Sequence, residues 1–391
     1  MTKKLIFLVP FLLQANVLSS LENELIQKDT NKAIISGDKL KNSWINPVTL
    51  QYKYNQTNQT PTIQKTNQFL ISINQPIFKS GAIYNSIKYA KYLKSENLDK
   101  IKLQKNTLIK NAYETLFNIA KINISIKKQL YLIANAKIDI KRKKEQFLSG
   151  VIDSSFLDNA IINKNNLEIA LNDLYSQKET LINNFKNLSN LDYKSVKLPK
   201  FKLISKEEYL NNLNLEIAKK DIKVKKALKY MNIGDSLVSI NLFANYNYID
   251  TKYNNPNSIY KNDKNNFYNV GISVTLPLNI NIPKTIEEAK IDYLKSVLNY
   301  KQTKLQEINK YNTQITKIKN IDNKIKIYQN SIKTYESLIK TTKDNVKAGI
   351  NTILDLQTLQ NTQKINRLNI VSLEIEKEIE MLEVYYKVKL F

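Results

Sequence analysis

Neither histidine nor cysteine occurs anywhere in the 391 residues, so the chemistry open to this chain is that of carboxylates, lysines and hydroxyls. That removes the commonest general base and metal ligand, the Ser/His/Asp triad, thiolate and iron–sulfur sites, disulfides and a lipid-bearing N-terminal cysteine. A carboxylate-only site would need acids grouped together. No such group, no glycine-rich phosphate loop and no nucleophile elbow is found, so the sequence predicts no enzyme, no cofactor and no metal site. Asp355, an acid in the first turn of a helix, has an ordinary explanation in the helix dipole.

The formal charge of +25 raises nucleic-acid binding, which needs clustered cations. Arg142 and Arg367 are the only arginines, and the lysines are spread along the whole chain among Asn and Ile. Enrichment in Lys, Asn, Ile and Tyr is what an AT-rich genome produces, and the lysines read as solvated helix faces. No nucleic-acid partner is expected.

What positions the few notable residues is a duplication. Ala112, Ile119, Ile126, Ile133, Ile140 and Phe147 are spaced by seven, and recur 199 residues later as Tyr311, Ile318, Ile325, Ile332, Ile339 and Val346. Each track ends three residues before a glycine, Gly150 or Gly349, in a chain with only six glycines. A heptad stripe held this long predicts a long helix that supercoils against neighbours. A helix over about residues 79–148 would rise roughly 100 Å at 1.5 Å per residue. The glycines then mark where each long helix reverses.

Upstream of each helix lie two alternating segments. Val48, Leu50, Tyr52 and Tyr54 share one face, as do Phe69, Ile71 and Ile73 before Pro76. In the second copy Val238, Ile240, Leu242, Ala244, Tyr246 and Tyr248 alternate, followed by Tyr268, Val270, Ile272, Val274 and Leu276 before Pro277. Period-2 runs are half-buried strands, and roughly ten tilted residues also cross a bilayer within a β-barrel. Tyrosines near the strand ends suit an interfacial aromatic girdle; a soluble sheet with one wet face fits the same pattern.

Lys3 and Lys4, the apolar run Leu5 to Leu13 and the small residues that follow read as a signal peptide, residues 1–19, with cleavage after Ser19. The first repeat is then 20–198, with strands about 48–56 and 67–76 and helices about 79–148 and 154–190. The second is 199–391, with strands about 237–249 and 267–277 and helices about 284–347 and 353–388. The segment before Pro47 has room for one helix. The span Asp250 to Asn266 reads as a long external loop, larger than Gln56 to Asn67.

The Gln75-Pro76-Ile77-Phe78-Lys79-Ser80-Gly81 segment, the Gly271-to-Leu278 segment and the Ala348-to-Gln357 segment, in this order within a tandem plan, resemble the TolC family of outer-membrane efflux proteins. The resemblance covers nearly the whole chain beyond the signal. It implies a mixed α and β fold: a membrane β-barrel completed by trimerisation, four strands per protomer, with a long coiled-coil α-helical barrel in the periplasm, built from two tandem repeats. It implies a periplasmic constriction at Asp355, Asn351 and Phe156, and helix-tip turns at Gly150 and Gly349 where a periplasmic adaptor docks. Asn351 stands where the family often has a basic residue and Phe156 where it often has an acid, which removes partners of an ionic lock across the closed tip.

The expected function is a passive outer-membrane duct of a tripartite efflux or type I secretion system. Its partners would be two further copies, the adaptor, an inner-membrane transporter of the proton-driven RND or the ABC type, and outer-membrane lipid. The alternative is a trimeric coiled-coil surface or adhesive protein. Four strands cannot close a barrel, for which about eight are needed, so protomers must pool theirs. Two internal strand pairs, each followed by a helical hairpin, favour the channel over a stalk with one terminal anchor.

Overall fold

The computed structural model describes residues 17–59, 62–254 and 261–388; the expected signal peptide lies outside the described residues except for its last three. The elements in chain order are α1 (Ser20–Lys41), β1 (Thr49–Gln59), β2 (Thr62–Lys79), α2 (Ala82–Leu148), α3 (Ser154–Leu188), α4 (Lys206–Tyr209), α5 (Leu213–Asp235), β3 (Ser239–Asn254), β4 (Lys261–Thr275), α6 (Ile282–Lys347) and α7 (Ile353–Tyr385). They form two compact units, to which α2 and α6 each contribute a part.

One unit, residues 29–100 and 215–303, holds a four-stranded antiparallel sheet in the order β1-β2-β3-β4. Both outer strands, β1 and β4, leave an edge without a strand partner. The strands run well past the alternating segments: β3 continues through Asn254 and β4 starts at Lys261, so the span read as a long loop is mostly paired backbone. Backbone hydrogen bonds need no apolar side chains, and the ladder carries on through the Asn-, Thr- and Lys-rich stretches where the apolar signal fades. The pairing slips between Pro76 and Phe78, where proline's missing N–H falls at an irregularity of the ladder. At the corner into α2, Ser80 and Gly81 both take positive φ, 42° and 85°, and the Ser80 hydroxyl donates to the Val238 carbonyl at 2.8 Å.

The other unit holds the helical pairs and the main core. Gln129 of α2 donates to the Leu167 carbonyl of α3 at 2.8 Å. Helix α2 meets α7 through Lys121–Glu376 at 2.7 Å and Asn361–Asn135 at 2.9 Å, and α7 meets α6 through Lys377–Asp322 at 2.7 Å and Arg367–Glu336 at 3.2 Å. The layer therefore runs α3-α2-α7-α6. Its central helix buries the first heptad track at Ala112, Ile119, Ile126 and Ile133; the second track is buried at Tyr311 and Ile318 and only half-buried at Ile325 and Ile332. The difference follows from position, since α6 is at an edge.

Val17 and Leu18 are buried in this core with Ile109, Tyr113, Phe117 and Phe185. The Ser19 amide donates to the Leu188 carbonyl at 2.8 Å, and its hydroxyl caps α1 by accepting from the Glu22 amide at 3.2 Å. Helix α5, which no alternation or heptad announces, packs against α2 through Lys220–Asp99 and against α6 through Lys225–Asp292 at 3.0 Å.

Candidate functional site

The sheet sorts its residues by chemistry. Register places Leu50, Ile71, Tyr246 and Tyr268 in one row and Tyr52, Phe69, Tyr248 and Asn266 in the next, all on one face, with Ile73–Ala244–Val270, Leu242–Ile272 and Ile240–Val274 continuing it. The opposite face is mixed: Leu70, Phe243, Ile249 and Phe267 stand among Gln68, Ser72, Asn245, Asn247, Asn269 and Ser273, and amides pair across it, Gln68 to Asn247 at 3.0 Å and Asn245 to Asn269 at 3.2 Å. The apolar face is bare: Tyr268, Val270, Ile272 and Val274 are 65–79 % exposed. An uncovered apolar face of this size marks an interaction with membrane or protein.

The hairpin ends in the helical unit are built alike. After α2, the Val151 amide reaches the Gln146 carbonyl at 2.9 Å around Gly150; after α6, the Ile350 amide reaches the Asn345 carbonyl at 2.8 Å around Gly349. Both glycines are left-handed, φ 72° and 74°, as this helix-ending motif requires. Asp153 caps α3 and Thr352 caps α7, so Phe156 and Asp355 fall at the same third helical position of their hairpins.

There the two repeats diverge. Asp355 Oδ2 accepts from the Thr352 amide at 3.0 Å and from its hydroxyl at 2.7 Å, completing a capping box, while Oδ1 accepts from Arg142 Nη2 of α2 at 2.7 Å. The Thr352 hydroxyl, its amide and the Arg142 guanidinium hold the Asp355 carboxyl below the usual carboxylate range. Phe156 has no carboxylate to offer and lies under Lys143, whose Nζ is 5.1 Å from the ring centre. Asn351, between Gly349 and the cap, also hydrogen-bonds toward Asp355.

One buried acid resembles a catalytic group and is structural. Glu307 of α6 accepts from Tyr209 Oη at 2.6 Å and Asn214 Nδ2 at 3.0 Å, with Lys387 Nζ at 3.4 Å. Burial pushes its carboxyl up, but the bonds from Tyr209 and Asn214 and the charges of Lys387 and Lys310 outweigh it and bring the carboxyl below its ordinary value. Every group is partnered, which ties α6 to the C-terminal end of α7 and to the α4–α5 turn. Among the described residues, no group of three or more acids could hold a metal ion.

Residues 210–381 match the family described as outer membrane efflux protein. The fold is that of solved outer-membrane channels. CmeC of Campylobacter jejuni superposes with a TM-score of 0.72 at 16 % identity, over 95 % of this chain and 84 % of that one. VceC of Vibrio cholerae gives 0.72 at 10 %, over 92 % and 91 %. The family match and the shared fold both point to outer-membrane efflux channels. MtrE of Neisseria gonorrhoeae, solved in its open state, gives 0.60 at 11 %, over 95 % and 92 %. No curated protein sequence matches the chain.

The matched family is one of channels and not of enzymes. No described helix is long and apolar enough to cross a membrane. The family match falls on the second repeat. The expected site residues do not form one cluster: Asn351 and Asp355 share the second hairpin end, Gly349 makes its turn, and Gly150 and Phe156 belong to the first. Sequence reasoning gives Arg142 no partner and no role at the hairpin end. The available signal was its type, because it is one of two arginines among sixty cations, two turns before the helix end.

Proposed function

We propose that this protein is an outer-membrane efflux channel in which three copies close a common barrel and helical tunnel, forming a passive duct from periplasm to exterior. The observation that carries this reading is the four-stranded sheet, bare at both edges, with one exposed face that is mainly apolar and a second that pairs amides among its side chains. Lipid tolerates no unpaired strand edge, and four strands are too few to close on themselves. The layer α3-α2-α7-α6 ends equally openly, with Ile162 and Ile169 exposed on α3 and Ile327 and Leu305 on α6. Neighbouring copies would cover these edges as they pair β1 with β4.

In this reading Asp355, Asn351 and Phe156 line the periplasmic constriction, and the turns at Gly150 and Gly349 receive a periplasmic adaptor. No residue group for nucleotide hydrolysis is apparent, so energy comes from an inner-membrane transporter of the RND or ABC type. Cross-linking of the full-length protein in outer-membrane extracts tests the core of the proposal. A trimer that survives mild detergent and conducts in planar bilayers is expected; a monodisperse, non-conducting monomer overturns it.

A further inference from the structure

The apolar face of the sheet ends in a cluster of lysines. Beyond the row Tyr52–Phe69–Tyr248, the next row on the same face is Tyr54–Asn67–Asp250–Lys264, and the one after it is Gln56–Lys65–Lys252–Asn262. Lys65 and Lys252 are thus directly opposite on neighbouring strands, and Lys264 stands one strand across and one row nearer the aromatic residues. Like charges set directly opposite on a sheet repel and destabilise the pairing. All three side chains are exposed, and among the described residues none of the three forms an ion pair. Asp250 faces Lys264 across the ladder and offsets at most one of the three charges.

The position of this cluster is fixed by what lies below it. Five successive rows, from Phe78–Ile240–Val274 to Tyr52–Phe69–Tyr248, are apolar or aromatic apart from Gln75 and Asn266. At two residues and roughly 6.8 Å per row they cover about 27 Å of strand, which at a tilt near 40° approaches the height of the apolar band on an outer-membrane barrel. Tyrosines at 52, 54, 246, 248 and 268 lie at its upper end, where amphipathic rings mark the boundary of the hydrocarbon. The lysines come one to two rows above that boundary, on the lipid-facing side, and their long stems bring the ammonium groups to headgroup level.

We infer that Lys65, Lys252 and Lys264 form a binding site for the phosphate groups of an anionic lipid in the outer leaflet. The inference rests on the barrel reading given above. An anion bridging Lys65 and Lys252 relieves a repulsion the sheet otherwise bears, and three ammonium groups at the end of an apolar wall suit a ligand with acyl chains below and phosphate above. A free phosphate would gain the charges but not the wall. Each lysine near a charged bilayer surface contributes about fivefold in affinity.

The full-length protein, reconstituted in phosphatidylcholine vesicles, tests this with added phosphorylated lipid A, dephosphorylated lipid A or inorganic phosphate. The readout is the temperature at which the assembled protein dissociates. Phosphorylated lipid A is expected to raise it for the wild type, with little effect from the other two additions. The combined Lys65→Gln, Lys252→Gln, Lys264→Gln variant is expected to lose that rise. A variant with the same charge removed from α6, Lys319→Gln, Lys326→Gln, Lys333→Gln, is expected to keep it. Equal rises in both variants, or the same rise with dephosphorylated lipid or free phosphate, overturn the site. Conductance in phosphatidylcholine alone separates the two readings: a conducting protein indifferent to the lipids sinks only this inference, while one that never conducts sinks the barrel reading as well.

Discussion

Arg142 and Asp355, 213 positions apart in the chain, meet at 2.7 Å and join the end of the first repeat's long helix to the start of the second repeat's returning helix. The same carboxylate completes the Thr352 capping box, so one side chain both starts α7 and fastens it to α2.

Breaking the pair should loosen the hairpin ends without unfolding the protein. Both side chains are a third or more exposed, so solvent screening limits the pair to about 0.5 kcal/mol. In a double-mutant cycle with Arg142→Gln and Asp355→Asn, the single changes should each raise open-channel conductance and the double should add little. Fully additive effects would show that the two residues do not act together.

Acid should act on the same contact only at low pH. The folded-state pKa of Asp355 is depressed, so its contribution is complete above the ordinary aspartate value near 3.9 and fades as pH falls through the lower folded value. Amide exchange at residues 352–355 should therefore be insensitive to this group between pH 5 and 8. Deprotection of those amides at pH 6 would contradict the assignment.

The two heptad tracks should respond differently to charge. Ile126 is 8 % exposed on the central helix α2, and Ile126→Asp leaves an unpaired ion costing several kcal/mol, so the protomer itself should fail to fold. Ile325 on the edge helix is half-buried, and Ile325→Asp should leave helical content intact while preventing cross-linked assembly. Lys326→Asp should change neither. Circular dichroism and cross-linking together resolve the three.

Two glycines near helix ends, Gly150 just past α2 and Gly234 in the last turn of α5, should tolerate alanine unequally. At Gly150 a Cβ would meet nothing within 4 Å, leaving only the cost of a left-handed backbone, about 1 kcal/mol. At Gly234 it would lie 2.6 Å from the Ala82 amide nitrogen, so Gly234→Ala must displace backbone. Thermal denaturation should show Gly234→Ala as clearly the worse; the reverse order would refute this packing.

The mature N-terminus should lie at or before Val17. Val17 and Leu18 are 0 % and 4 % exposed, and burial of such side chains stabilises by roughly 1.5–3 kcal/mol each. Cleavage after Ser19, which small residues at the processing positions suggest, would remove both. N-terminal sequencing of exported protein decides between them, and a chain starting at Ser20 would reject the placement.

The faces of the sheet were legible because alternation at Leu50–Tyr54, Phe69–Ile73, Ile240–Tyr248 and Tyr268–Val274 is a direct imprint of the two-residue period that sends successive side chains to opposite faces. The far halves of the strands were not, since their Asn and Thr residues pair through backbone and amides that carry no apolar signal. The hairpin turns could be read from two glycines in register. The Arg142–Asp355 contact could not, because it depends on α2 and α7 lying side by side, which no local pattern encodes. Nor could the burial of Val17 and Leu18, which belong by composition to an apolar leader and by packing to the core.

Bare edges on both the sheet and the helical layer leave part of this protein's stability to whatever covers them. If closure is supplied by other copies, the free energy holding each chain together includes a mass-action term, and melting midpoints climb with protein concentration. Scarcity would then be a quality defect as well as a shortage: a cell making few copies would hold a larger fraction of half-finished chains, each displaying the adhesive strand borders that favour wrong partners.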